Sequence, residues 1–135
     1  MIKRYFLIIC LLLFFVTGCG RFSKNVIIFN DEAFSKDNFN QVKTGFYAGE
    51  RIYYLFASPD KFKAPYIRVQ VSSVTDKVHT LFYKPIWSGD YRLMKDEVYY
   101  YTNYFVLHQK GKYLVQVFRM DDLHHPLAFA FITVD

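Results

Sequence analysis

Residues 65–73, Pro-Tyr-Ile-Arg-Val-Gln-Val-Ser-Ser, decide the fold of this chain. Apolar and polar side chains alternate along Ile67-Arg-Val-Gln-Val-Ser72. A period of two is typical of a β-strand with one buried face and one face in water. Pro65 is tolerated at the start of such a strand, because the backbone donor that proline lacks is not needed there. The stretch therefore predicts a half-buried strand.

Similar runs recur along the chain, each interrupted by Gly, Pro, Asn or Asp. Ser58-Pro-Asp60, Ser88-Gly-Asp90 and Lys110-Gly111 supply turn chemistry between them. Helix signals are sparse. Seven short strands within about 110 residues predict an all-β antiparallel sandwich. The expected strands cover residues 25–30, 50–57, 65–73, 78–84, 98–107, 112–119 and 127–134.

The last third of the chain resembles the end of an immunoglobulin-like or fibronectin-like sandwich. The resemblance lies in Phe105-Val-Leu107 followed by Gly111-Lys-Tyr-Leu-Val-Gln-Val117. It implies that Tyr113 forms a tyrosine corner, that the valines at 115 and 117 point inward, and that 127–134 pairs with 112–119. There is no Cys pair, and Trp87 lies in a loop-like context. An immunoglobulin-like sandwich of about seven strands, but not an antibody-type domain, is expected over residues 26–135.

The N-terminus carries an export pattern: Lys3-Arg4, an apolar run over residues 5–16, then Val16-Thr-Gly-Cys19. The run is shorter than the roughly 20 residues that cross a bilayer. The segment resembles the signal of bacterial lipoproteins, which implies that residues 1–18 are a cleaved signal helix and that Cys19 is acylated. Residues 19–25 then form the lipidated cysteine and a short tether. An uncleaved anchor, or cleavage elsewhere, remains the alternative.

Location follows from the same resemblance. Lipid chains contribute about 0.8 kcal/mol per buried methylene, so the two or three chains of a bacterial lipoprotein hold it firmly on a membrane. Gly20, rather than Asp, follows Cys19, which by resemblance to lipoproteins of two-membrane bacteria implies the outer membrane. The whole arrangement also resembles spirochaete-type surface lipoproteins. A periplasmic and a surface position both stay open.

Charge and cysteine content exclude several classes of function. The formal charge of +5 falls to +3 when Lys3 and Arg4 are removed (5 − 2). The other cations are interspersed with carboxylates, so no nucleic-acid partner is expected. Cys10 leaves with the signal and Cys19 carries lipid, which excludes a disulfide framework, a zinc ribbon and a cysteine nucleophile. No cofactor is expected.

Candidate catalytic and metal-binding groups are few. The six serines beyond the signal, at 23, 35, 58, 72, 73 and 88, lie in no nucleophile elbow. Asp96-Glu97 is interpreted as a charge pair at the entry of a strand. His124-His125 lies close to Asp121-Asp122, but adjacent side chains on an extended chain point opposite ways. We expect a polar turn there, no metal site and no enzyme.

Aromatic residues, 21% of the chain, are the strongest signal for binding. In the last strand the immunoglobulin-like resemblance places Ala130, Ile132 and Val134 inward, which leaves Phe129 and Phe131 outside. The tyrosines at 99–101 and 104 place rings on both faces of another strand. The candidate binding residues are Phe118, Phe129, Phe131, Tyr100 and Tyr104.

Two functions are consistent with such rings. The first is a non-enzymatic envelope lipoprotein, an adhesin or an assembly factor, that binds a macromolecular partner through outward aromatic faces. The alternative is a module that binds carbohydrate or peptidoglycan by stacking tyrosines on sugars. It also stays open whether residues 30–47, which carry Phe34, Phe39, Val42 and Phe46, fold over the outer phenylalanines instead.

Overall fold

The structure, a computed structural model, describes residues 24–62, 65–77, 80–95 and 99–135. The regular elements in these ranges are all β-strands. Within the same ranges the chain forms no helix long and apolar enough to cross a membrane. The strands are β1 Val26–Asn30, β2 Gly45–Phe46, β3 Arg51–Ala57, β4 Tyr66–Lys77, β5 Thr80–Arg92, β6 Tyr100–Val106, β7 Gly111–Arg119 and β8 Ala128–Val134.

The strands form two sheets. The three-stranded sheet has the order β1-β3-β6, and the five-stranded sheet has the order β2-β8-β7-β4-β5. Pairing is antiparallel except between β2 and β8. The predicted all-β, immunoglobulin-like sandwich is confirmed. The structure has an eighth strand, β2, which the sequence did not predict. With only two residues, β2 is too short to show any periodicity.

The core lies between the two sheets, and the alternating apolar residues at the start of β4 point into it. Ile67, Val69 and Val71 are fully buried, and β4 places Val69 opposite Val117 and Val71 opposite Val115 on β7. Full burial of such side chains stabilises the fold by roughly 1.5–3 kcal/mol each. The facing sheet contributes its own large buried residues, Ile27, Phe29, Ile52, Tyr54, Phe56, Tyr101 and Phe105.

The hairpin of β4 and β5 is longer than the sequence predicts. Residues 88–90, expected to form a turn, lie within β5, and Trp87 lies on that strand opposite Val71 rather than in a loop. The Trp87 ring packs 5.5 Å from the ring of Phe105. The β4–β5 register shifts between Val71 and Ser72. Such a bulge disturbs the alternation of side chains by which β5 could have been recognised in the sequence.

The end of the chain follows the expected arrangement. The Tyr113 hydroxyl donates to the carbonyl oxygen of Gln109 at 2.6 Å, which is the contact of a tyrosine corner. β7 and β8 form the expected antiparallel hairpin. On β8, Ile132 and Val134 are buried, and Phe129 and Phe131 point to the outside.

Candidate functional site

The five aromatic residues singled out in the sequence lie on two opposite outer faces of the sandwich. Tyr100 and Tyr104 belong to β6 of the three-stranded sheet. Phe129 and Phe131 belong to β8 of the five-stranded sheet, and Phe118 lies on β7 of that sheet. Since the core separates the two faces, these residues do not form one binding surface.

Phe118 differs from the other four because it is only 6% exposed. It lies opposite Arg68 in the β4–β7 register, and Arg68 holds Asp90 through two hydrogen bonds of 2.7 and 2.9 Å. Its ring is therefore part of the packed structure and offers little surface to a partner.

The outer surface of the five-stranded sheet carries what we call the aromatic face. Phe129 is 62% exposed and Phe131 is 37% exposed. The β7–β8 register sets Phe129 beside Gln116 and Phe131 beside Leu114. The Lys112 ammonium lies 4.8 Å from the centre of the Phe131 ring, a cation–π contact. Around these rings is a concavity of about 340 Å³ lined by Tyr83, Leu114, Gln116, Pro126, Phe129 and Phe131.

The outer surface of the three-stranded sheet carries a second group, the tyrosine face, formed by Arg51, Tyr53 and Tyr104. The rings of Tyr53 and Tyr104, which are cross-strand neighbours, lie 5.5 Å apart. The Arg51 guanidinium lies 4.8 Å above the Tyr104 ring. Arginine is charged at every physiological pH, and a hydrogen bond with Tyr53 raises the pKa of Arg51 further.

Residues 30–47 do not fold over the outer phenylalanines, because Phe129 and Phe131 are exposed and no residue of that segment lines the concavity around them. The alternative left open by the sequence is therefore wrong. Phe34 and Phe39 lie instead beside the outward residues of β1, β3 and β6. Phe46 lies on β2 and is buried in the core. Lys43 forms an ion pair with Asp31 across the two ends of the segment.

A groove lies where this segment meets the three-stranded sheet. Its volume is about 450 Å³, and most of its lining surface is apolar. No local sequence pattern indicates this groove, since its walls come from a loop and three strands in distant parts of the chain. The lining consists of Ile28, Phe34, Ser35, Lys36, Phe39, Leu55, Ala57, Tyr100 and Thr102.

Asn38 holds the loop wall of this groove in place. Its side-chain oxygen accepts a hydrogen bond from the Ser35 backbone N–H at 2.8 Å, and its side-chain nitrogen donates to the Ala33 carbonyl at 3.0 Å. The Asn38 carbonyl also accepts a hydrogen bond from the Gln41 N–H at 2.9 Å. Asn38 is 9% exposed, and its side-chain hydrogen bonds are partly buried.

The acidic and histidine residues between β7 and β8 form the expected polar turn. One carboxylate oxygen of Asp122 accepts hydrogen bonds from the backbone N–H groups of His124 and His125. The hydrogen bond with the His125 ring lowers the pKa of Asp122. The part of the chain that the structure describes contains no group of three or more His, Cys, Asp or Glu placed to hold a metal ion.

Several sequence-based expectations concern residues that the structure does not describe. Cys19, the signal at residues 1–18 and most of the tether precede residue 24, and Asp96-Glu97 also falls outside the described ranges. Acylation of Cys19, like the absence of catalysis and of cofactors, therefore remains a prediction.

Comparisons with known proteins assign this chain to no family. No protein-family model matches the sequence, and no curated protein matches it. Among solved structures, the chain is similar to the CARDB domain of the PF1109 protein from Pyrococcus furiosus, which was solved in complex with di-metal ions. The identity is 12%, the match covers 82% of this chain and 90% of that one, and the TM-score is 0.34. At this distance the di-metal ions are a property of that protein alone, and the immunoglobulin-like fold of this chain is argued from its own strand order.

Proposed function

We propose that this chain is a lipid-anchored, non-enzymatic protein of the bacterial cell envelope that binds a protein partner on its aromatic face. The observation that supports the proposal is the exposure of Phe129 and Phe131 on the same side of β8 in the β7–β8 hairpin. Exposed apolar surface of this kind is a common property of protein interaction sites.

The composition of the aromatic face suits a protein partner. Phenylalanine and tyrosine bury a large area while few torsions become fixed on binding. The concavity between Phe129 and Tyr83 can receive one side chain of the partner, as in interfaces where a few anchored residues dominate the affinity. Lys112, stacked on Phe131, supplies a charge at the rim, where it affects association rate and specificity more than affinity.

The proposed position of the domain follows from its lipid. Residues 20–25 reach at most about 20 Å when extended, so a domain held by Cys19 lies close to the membrane surface. The partner is then another component of the envelope, and we propose the outer membrane as the site of anchoring. A membrane fraction that incorporates labelled palmitate, and loses the label in Cys19→Ser, is the expected result.

Site-specific photo-crosslinking in living cells tests the partner. A photoreactive phenylalanine placed at position 129 or 131 of the full-length protein is expected to give a discrete crosslinked product. The control is position 47, because Tyr47 is 72% exposed, more than Phe129 at 62%, and does not line the concavity of the aromatic face. Products of equal yield from positions 47 and 129 would count against a specific partner there.

Glycan binding is the second candidate, and the tyrosine face favours it. Stacked Tyr53 and Tyr104 rings with an adjacent Arg51 cation could bind a sugar ring and an acidic group together. Retention on peptidoglycan or acidic glycan that is lost in Tyr104→Ala but kept in Phe129→Ala is the result expected of this function. The opposite pattern would favour the protein partner.

A further inference from the structure

The groove beside residues 34–39 differs in chemistry from the aromatic face and belongs to neither proposed function. Ile28 and Leu55 form its floor, the rings of Phe34 and Phe39 line the loop side, and Tyr100 lies on the β6 side. Its volume of about 450 Å³ lies within the range of roughly 300–1,000 Å³ found for small-molecule sites. A lining of this kind suits an aliphatic chain.

The polar groups of the loop wall are concentrated at Ser35 and Lys36. Among the described residues Lys36 has no ion-pair partner. An unpaired ammonium beside an apolar groove is complementary in charge to an anionic head group. The combination selects a ligand that is apolar along its length and negatively charged at one end.

We propose that this groove binds a free fatty acid, with its chain on Leu55 and Phe39 and its carboxylate against Lys36. The loop wall is already held by the two side-chain hydrogen bonds of Asn38. The ligand therefore does not have to order the loop, and a site formed in advance binds with a smaller entropic cost.

Photoaffinity labelling of the full-length protein in its own membrane tests the proposal. The probe is a palmitate analogue with a photoreactive group in its chain, and the neutral probe is the corresponding hexadecanol analogue. Labelled peptides are mapped by mass spectrometry. We expect the palmitate label on residues 34–39 and on peptides of β3 and β6 that line the groove. We also expect the label to be competed by unlabelled palmitate.

Two variants separate the contribution of the carboxylate head group to binding from that of the aliphatic chain. Lys36→Glu should weaken labelling by the palmitate probe by roughly two- to five-fold, as for the loss of an exposed charge contact, while labelling by the alcohol probe stays the same. Phe39→Ser should weaken both probes about ten-fold or more. Phe39 is 54% exposed, so we expect this variant to fold, and its urea unfolding curve checks that it does. Lys110→Glu, the matched charge reversal on an exposed loop, should change neither.

Three outcomes would overturn the assignment. One is palmitate labelling that Lys36→Glu and Phe39→Ser leave unchanged. Another is a label found mainly on peptides of the aromatic face. The third is labelling of the groove only in Cys19→Ser, because the site would then belong to the chain's own acyl group and not to a free fatty acid.

Discussion

The Tyr113 hydroxyl lies 2.6 Å from the carbonyl oxygen of Gln109, and the bond ties β7 to the loop that precedes it. Tyr113→Phe removes the donor and leaves a partly buried carbonyl without it, so the free energy of unfolding should fall by about 1–2 kcal/mol. Urea unfolding measures the change. Tyr100→Phe, at a half-exposed position, serves as the control and should change stability by under about 0.5 kcal/mol. A Tyr113→Phe protein as stable as the wild type would show that the corner bond contributes nothing.

Buried tyrosines make the protein sensitive to alkali. Burial raises the pKa of Tyr54 and of Tyr113 above the ordinary value, and the nearby Tyr91 and Tyr101 raise that of Tyr54 further. Ionisation is then easier in the unfolded chain. The stabilising effect is complete below about pH 10, the ordinary tyrosine pKa, and is lost as the pH rises from there toward the folded-state pKa.

The variant Tyr54→Phe identifies the source of this sensitivity. The Tyr54 hydroxyl lies near Tyr91 but makes no hydrogen bond of good geometry within the described residues, so its removal should cost little at pH 7. The variant should, however, lose less stability than the wild type between pH 8 and pH 11, as measured by urea unfolding at both values. Parallel losses in the two proteins would assign the alkaline transition to other groups.

Gly89 is required by the ring of Tyr91, its neighbour on the same side of β5. A Cβ at position 89 would clash with the Tyr91 hydroxyl oxygen and lie 2.7 Å from the adjacent ring carbon. The Tyr91 ring cannot move freely, because it packs 4.9 Å from the ring of Tyr101. Gly89→Ala should therefore cost about 1–3 kcal/mol of stability.

A double-mutant cycle tests this cause directly. In a Tyr91→Ala background the cost of Gly89→Ala should fall close to zero, since the clash has no partner. Gly45→Ala is the matched control, because a Cβ there meets only Thr133 Oγ1 at an ordinary 3.6 Å. An equal cost of Gly89→Ala in both backgrounds would mean that a feature other than the Tyr91 ring requires the glycine.

The two faces of β8 predict opposite effects of truncation. Ile132 is buried in the core and Phe129 is largely exposed. Ile132→Ala should lower the free energy of unfolding by about 2–5 kcal/mol, whereas Phe129→Ala should cost under about 1 kcal/mol despite the larger side chain removed. Equal destabilisation by the two variants would contradict the observed orientation of the strand.

Local patterns predicted the strands that have one wet face, and they failed where pairing with distant strands decides the structure. The alternation at Ile67–Val71 identified β4 because every second side chain of this stretch is buried in the core. Residues 88–90 have the composition of a turn, yet they belong to an edge strand, where Gly89 makes room for a ring and Asp90 pairs with Arg68. Edge strands accept such residues because only one side is hydrogen-bonded.

The candidate sites illustrate the same limit. The outward position of Phe129 and Phe131 follows from a period of two along one strand, and the structure places both outside. Their grouping with Tyr100 and Tyr104 required knowledge of which strands share a sheet, and β6 and β8 belong to different sheets. The groove required the path of residues 31–44, which have no periodic pattern, so the sequence contained no local signal for it.

Asn38 gives a test of whether the groove wall depends on side-chain hydrogen bonds rather than on apolar contacts alone. Asn38→Ala removes the bonds to Ser35 and Ala33 and leaves their backbone groups unpaired in a partly buried position. The free energy of unfolding should fall by about 1–2 kcal/mol. Hydrogen exchange should accelerate at the backbone amide of residue 35 more than at those of β3, since the loss is local. Asn40→Ala, an exposed asparagine in the same turn, should change neither quantity. If Asn38→Ala exchanges at residue 35 as slowly as the wild type, Phe34 and Phe39 hold the wall by packing alone.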